Sequence, residues 1–344
     1  MIDFRYHLVS IVAVFLALAI GLVLGSTELQ GPTLDALRTT SDSLSSQLAK
    51  AQAERDAYSA QVSADQSFAS ANQTVLLKDL LTSERVVLIT EPGAQSAVVN
   101  GVTSAAQDAG ATITGTIALQ DKFSDTSTAT ESTLSELNSS LASQYDVTPV
   151  TTSNQQTADQ QQAAQLIAAA SVTQATKPTP ALTTSQAQDV LNSFQQSGFI
   201  TESGHPAVDG TTLAIIVTTG SAPSDGSSDP ANRVLVAVAQ EFASASTATV
   251  VAGNASGDVS GSAMSVLRAS SVAGDVSTID NADTTTGQIT VIQALATQAQ
   301  GGKAGSYGVD TGASSVGPSP APTPSASVTA SPSTSSSKKA KAKK

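Results

Sequence analysis

Two histidines, two methionines and no cysteine are all that 344 residues offer as soft donors or imidazole bases. Without cysteine there is no disulfide, thiolate metal site, iron–sulfur cluster or thiol nucleophile. His7 precedes a long apolar run, and His205 sits in the turn-like Ser203-Gly204-His205-Pro206. A serine hydrolase needs a histidine beside a nucleophile on a sharp strand-to-helix turn, and the chain has no such elbow. The carboxylates of Asp275, Asp280 and Asp283 lie close in sequence, a spacing that suits a hard cation or a solvated acidic loop. Three turns carry glycine where strands end: Glu91-Pro92-Gly93, Thr219-Gly220-Ser221, and Gly253 through Gly257 to Gly261. None matches a dinucleotide or P-loop fingerprint, so they read as ordinary turns. The expectation is a protein that is not an enzyme, with no catalytic, cofactor-binding or metal-binding residue.

Charge narrows the partners. The chain carries 28 acids against 16 bases for a net charge of −12, and five of the bases are Lys338, Lys339, Lys341, Lys343 and Lys344. A body this acidic repels phosphate backbones, so no nucleic acid is expected as a partner of the folded part, and only the lysine tail could bind one. Aromatic residues make up only 3%, so any core must be built from Ala, Val, Leu and Ile.

The elements that would position such residues begin with a membrane span. Residues 1–7 are expected in the cytoplasm and 8–27 in the bilayer, because the twenty residues Leu8 to Thr27 carry no charge. As a helix they would cover roughly 30 Å, the hydrocarbon thickness of a membrane. A cleaved signal peptide is the alternative, but the apolar stretch is longer than a usual signal core. Arg5 and His7 before the span, and Glu28 and Asp35 after it, place the remainder on the extracytoplasmic side of a single-pass cell-membrane protein. Ala13, Ala17, Gly21 and Gly25 form a stripe of small residues on which a second helix could pack.

Gly31-Pro32 is expected to break the helix, and 28–83 to form a coiled-coil stalk. Its seam holds Leu34, Leu37, Leu44, Leu48, Ala51, Tyr58 and Val62 at alternating three and four spacing and extends to Ala69, with Ser41, Arg55 and Asp65 as polar interruptions. Homo-oligomers through both helical stretches follow, with membrane lipid and other envelope proteins as further partners. The alternative for the stalk is one amphipathic helix laid on the domain after it.

From residue 84 the period changes. Apolar β-branched runs near 85–90, 111–119, 212–218, 247–252 and 276–279 alternate with helical stretches near 94–109, 184–197, 229–244 and 288–300, with a short helix around Met264. Such alternation predicts a mostly parallel, three-layer α/β domain over 84–311, interrupted by a polar helical insertion at 125–176. Residues 312–344, rich in Ser, Pro, Ala and Thr with a lysine cluster, are expected to be a disordered tail.

The opening Arg5-Tyr6-His7-Leu8-Val9-Ser10-Ile11-Val12-Ala13-Val14 through Gly25-Ser26 resembles the actinobacterial copper transport protein B (MctB) family. Gly198-Phe199-Ile200-Thr201, Val217-Thr218-Thr219-Gly220, Ala252-Gly253, Ser277-Thr278-Ile279-Asp280-Asn281, Gly287-Gln288-Ile289-Thr290-Val291-Ile292 and Gly305-Ser306-Tyr307-Gly308 follow in the same order. The resemblance covers about residues 1 to 310 and implies a copper transporter or copper-homeostasis protein of the cell envelope, exporting copper or acting as an outer-membrane channel. Selective copper sites draw on thiolate, thioether or imidazole donors, of which the part beyond the span has only His205 and Met264. The expected function is therefore copper transport or homeostasis without a high-affinity copper site in this chain, the alternative being a scaffold that spaces partners from the membrane.

Overall fold

The computed structural model describes residues 3–151, 154–173, 182–219, 229–254 and 261–319. It divides into two units, Met1–Asp65 and Gln66–Lys344. The first unit is helical. Helix α1 spans Asp3–Leu77, and its apolar window Phe4–Gly25 is long enough to cross a membrane. The expected break at Gly31-Pro32 is absent, because the backbone stays helical through both residues. Proline removes one hydrogen bond and crowds one carbonyl, a local cost of about 3 kcal/mol. Long helical runs on both sides hold the geometry against it.

The second unit is a seven-stranded sheet between helices. Its elements are β1 (Arg85–Thr90), α2 (Ser96–Asp108), β2 (Thr112–Leu119), α3 (Thr128–Tyr145), α4 (Gln155–Ser171), α5 (Thr184–Gln196), β3 (Ile200–Gly204), β4 (Leu213–Val217), α6 (Pro230–Ala245), β5 (Ala248–Ala252), α7 (Ala263–Ala269), β6 (Ser277–Ile279), α8 (Thr285–Ala299) and β7 (Ser306–Tyr307). The strand order is β3-β2-β1-β4-β5-β6-β7, parallel throughout except for β3. The mostly parallel α/β expectation therefore holds. The antiparallel β3 and the two-residue β7 add edges that the apolar runs did not reveal.

Alternate strand residues serve opposite faces, as the pleat requires. Val87, Ile89, Ala214, Ile216 and Val251 face one core with α4, α5 and α6, whereas Val86, Leu213, Ile215, Val217 and Val250 face the other with α2 and α8. The last turns of α1 join the second core. Ala69, read from sequence as a seam position, is buried there with Leu77, Leu80 and Leu81, and Gln66 accepts a hydrogen bond from the amide of Thr285. The aromatic-poor core concentrates its rings in one place: Phe199 meets Phe123 and Phe194 edge to face at centroid distances of 6.1 and 6.5 Å.

Local signals explain the helix starts. Thr183 and Gln186 form a capping box on α5, and Asp229 caps α6 with Pro230 at its first turn. The insertion at 125–176 resolves into α3 and α4, and α4 packs against α3, α5 and α6. At the edge, Gly204 has φ +80° and faces Gly115 on β2, where an added Cβ would lie 2.6 Å from the Gly115 Cα. That approach fixes β3 against β2. Residues 312–319, assigned from sequence to the tail, are ordered: the Gly308 amide donates to the Ser315 carbonyl and the Ser314 amide to the Ser306 carbonyl. These backbone bonds supply what the Ser- and Pro-rich composition lacks. The rest of the expected tail, including the lysine cluster, lies outside the described residues.

Candidate functional site

The chain moves from β1 to β2 on one side and later returns to β4 on the other, so the sheet has its topological switch point between β1 and β4. In open parallel sheets ligands occupy the crevice outside the carboxyl ends of the strands at that point. Glu91 stands there, directly after β1. Its amide donates to the Val217 carbonyl at the end of β4 (2.9 Å), and its carbonyl receives the Ala94 amide (3.1 Å), closing the Glu91-Pro92-Gly93 turn.

The Glu91 side chain is nine-tenths buried. Burial pushes its carboxyl up to about 7; contacts with the Thr218 hydroxyl and Thr219 amide offset part of this, and Asp229 adds to it by repulsion. Two cavities share this carboxyl. One of about 170 Å³ is lined by Glu91, Leu119, Asp121, Phe123, Ala231 and Val234 among others. The other, of about 440 Å³, extends past Thr90, Asn100, Thr116, Gln120 and Asp121. A third, of about 390 Å³, lies between α3 and α4 beside Asn138, Asp146 and Asp159.

Glu91 makes a stability prediction with a definite sign. A carboxyl held above its ordinary value of 4.5 stays protonated in the folded state while the unfolded chain ionises, so stability is greatest below 4.5, falls between 4.5 and about 7, and is level above that. Glu91→Gln removes the loss. At about pH 8 the variant is expected to be more stable than the parent by about 3 kcal/mol, an advantage that vanishes in acid below the unfolded value. Urea unfolding across pH reads both limbs.

The residues singled out from sequence are dispersed. His205 is exposed in the turn after β3; its amide donates to the Thr114 carbonyl at the start of β2, the opposite end of the sheet from Glu91. Nearby Glu202 is raised by burial, with the Gln188 hydrogen bond and His205 working the other way. Met264 is buried in the first core, and a Cβ on Gly253 would sit 2.9 Å from its Cε. The carboxylate cluster does not form: Asp275 and Asp283 are exposed, while Asp280 is fully buried. Asp280 pairs with Arg268 at 2.9 Å and accepts from the amides of Val309 (2.7 Å) and Asp310 (3.2 Å), which is neither a solvated loop nor a cation site. Among the described residues, no group of three or more His, Cys, Asp or Glu is arranged to hold a metal.

Along α1, Ala13, Ala17, Gly21 and Gly25 are exposed, and nothing approaches within 4 Å of the Cβ positions of the two glycines. Leu37, Leu44, Leu48, Ala51, Tyr58 and Val62 are exposed as well, and Leu34 lies within the same helix. The second and third glycine turns run into 220–228 and 255–260, outside the described residues. Sequence reasoning treated Glu91 as part of an ordinary turn. The signal available was its position, an acid immediately following an apolar strand.

Fold and site together define a doubly wound α/β protein with a carboxyl-lined switch-point crevice, preceded by a long helix that opens on an apolar span. The chain belongs to the family described as "Copper transport outer membrane protein, MctB", whose pattern matches residues 1–318. Proteins named copper transporter MctB from Mycobacterium tuberculosis and Mycobacterium bovis are 31% identical to it over 320 residues, covering 92% of this chain and 99% of theirs. Its counterpart from Mycobacterium leprae is 31% identical over 322 residues, with the same coverage.

Proposed function

We propose that this chain serves copper transport or homeostasis at the cell envelope, held in the cell membrane by the span at its N-terminus with the α/β head on the extracytoplasmic side, and without a high-affinity copper site of its own. The observation that carries the reading is the family match from residue 1 to 318, which takes in the apolar helix and the head alike. Arg5 before the span, with Glu28 and Asp35 after it, supports the orientation. Burial of Met264 in the core and the isolation of His205 in an exposed turn support the absence of a soft-donor site in the head.

A strain lacking the protein is expected to become copper-sensitive and to be rescued equally by the full chain and by His205→Ala. Titration of the purified protein with Cu(I) against a competing chelator should show only nonspecific uptake. A stoichiometric, tight Cu(I) site lost in His205→Ala would overturn the claim about the site, and unaltered copper tolerance of the deletion strain would overturn the function.

The exposed apolar positions Leu37, Leu44, Leu48, Tyr58 and Val62 favour a second reading, a scaffold whose helix pairs with another copy or an envelope partner while the head is held at a distance. Rescue by a head lacking residues 31–65 would count against it.

A further inference from the structure

We propose that the crevice between the carboxyl ends of β1 and β4 is a binding site for a small alkylammonium compound, with Glu91 as the counter-ion and the chamber against Leu119, Phe123 and Val234 receiving the carbon body. Among the described residues, the charged groups that line the two chambers with Glu91 or act on it are acidic. Asp121 follows β2 and lines both cavities, and Asp229 ahead of α6 acts on Glu91 by repulsion while one of its oxygens takes the Ala231 amide at 2.8 Å. No Lys, Arg or His lines either chamber among the described residues. Lys122, next in sequence, turns away, donating to the Ser197 carbonyl at 2.9 Å and lying over the Phe199 ring.

Once ionised, a carboxylate buried in an acidic setting favours a cation beside it; Lys122 is committed elsewhere, and Arg233 on α6 donates to the Gln156 side chain at 3.2 Å. The smaller chamber supplies the rest of the specificity. At about 170 Å³, with leucine, phenylalanine and valine in its wall, it admits a body of a few carbons and disfavours a hydrated metal ion. Thr90, Asn100, Thr116 and Gln120 around the larger opening offer acceptors for the remaining ammonium hydrogens. This inference does not depend on the role in copper transport, and its failure would leave that role standing.

The probe is n-butylammonium, titrated calorimetrically into the full chain in detergent, with n-butanol as the neutral control of equal size. Saturable binding of the amine is expected, strengthening about tenfold from about pH 6 to about pH 8 as Glu91 ionises, with no binding of the alcohol. Glu91→Gln should abolish it. Ala231→Leu, which narrows the small chamber and leaves the carboxyl intact, should weaken n-butylammonium several-fold more than methylammonium. No saturation by the parent chain, equal binding by Glu91→Gln, or equal binding of amine and alcohol would overturn the proposal.

Discussion

Replacing Asp280 with alanine is expected to destabilise the α/β head more than any other single substitution considered for it, by about 3–5 kcal/mol, the usual result of leaving one buried charge without its partner. The side chains of Arg268 and Asp280 are 8% and 0% exposed, and their 2.9 Å ion pair sits inside a closed set of hydrogen bonds. Arg268 also donates to the Thr278 hydroxyl at 3.0 Å and the Tyr307 carbonyl at 2.9 Å, while the Asp280 carboxylate receives the two amides of Val309 and Asp310. Alanine would strand a guanidinium and two amides at once. Asp280→Asn preserves the shape and one acceptor oxygen, so its cost should be smaller. Gly308→Ala should also be damaging, since an added Cβ would fall 1.9 Å from the Asp280 Oδ1 at a backbone φ of +132°. Thermal unfolding reads the effect, with a drop on the order of 10 °C for the alanine variant. A shift of only a degree or two would show that the pair contributes little beyond its own desolvation.

The second large effect concerns the helix ahead of the head. Leu44 and Leu48 are each 60% exposed in the single chain, and Leu37, Tyr58 and Val62 continue their stripe. If that stripe pairs with another copy, Leu44→Asp combined with Leu48→Asp would bury two charges at each seam, and the protein should sediment at monomer mass where the parent sediments above it. Analytical ultracentrifugation of a chain beginning at Gly31 separates these states without detergent. A monomeric parent at high micromolar concentration would sink the self-pairing proposal.

The sheet was legible where the strands are buried on both faces. Val86 to Ile89 and Leu213 to Val217 are unbroken apolar runs, and Ala248 to Ala252 is interrupted only by the buried Thr249, because helices cover these strands above and below; the helix boundaries between them came from glycines and caps. β3 escaped because Ile200-Thr201-Glu202-Ser203-Gly204 has only its first residue buried, so an edge strand has no apolar pattern to show. β7 is two residues long and is specified by β6 and Asp280 rather than by its own composition. Pro32 looked like a stop, but a local penalty does not decide a helix with long helical runs on either side. The Glu91 crevice was hidden for a different reason. Its burial requires the end of β4, more than a hundred positions along the chain, to be laid beside β1.

The ordered segment after β7 has a mechanical consequence. It is fastened by backbone bonds from Ser314 to Ser306 and from Gly308 to Ser315, by the Val316 carbonyl on the Thr290 hydroxyl, and by the Asp280 grip on Val309 and Asp310. Val309 and Val316 remain exposed, so little oily surface is spent on this fastening. A tug on anything joined beyond residue 319 would load these few polar ties in series before it strained either core. Under such a load the outermost ties, at Val316, Ser315 and Ser314, are expected to part first, ahead of the grip of Asp280 on Val309 and Asp310.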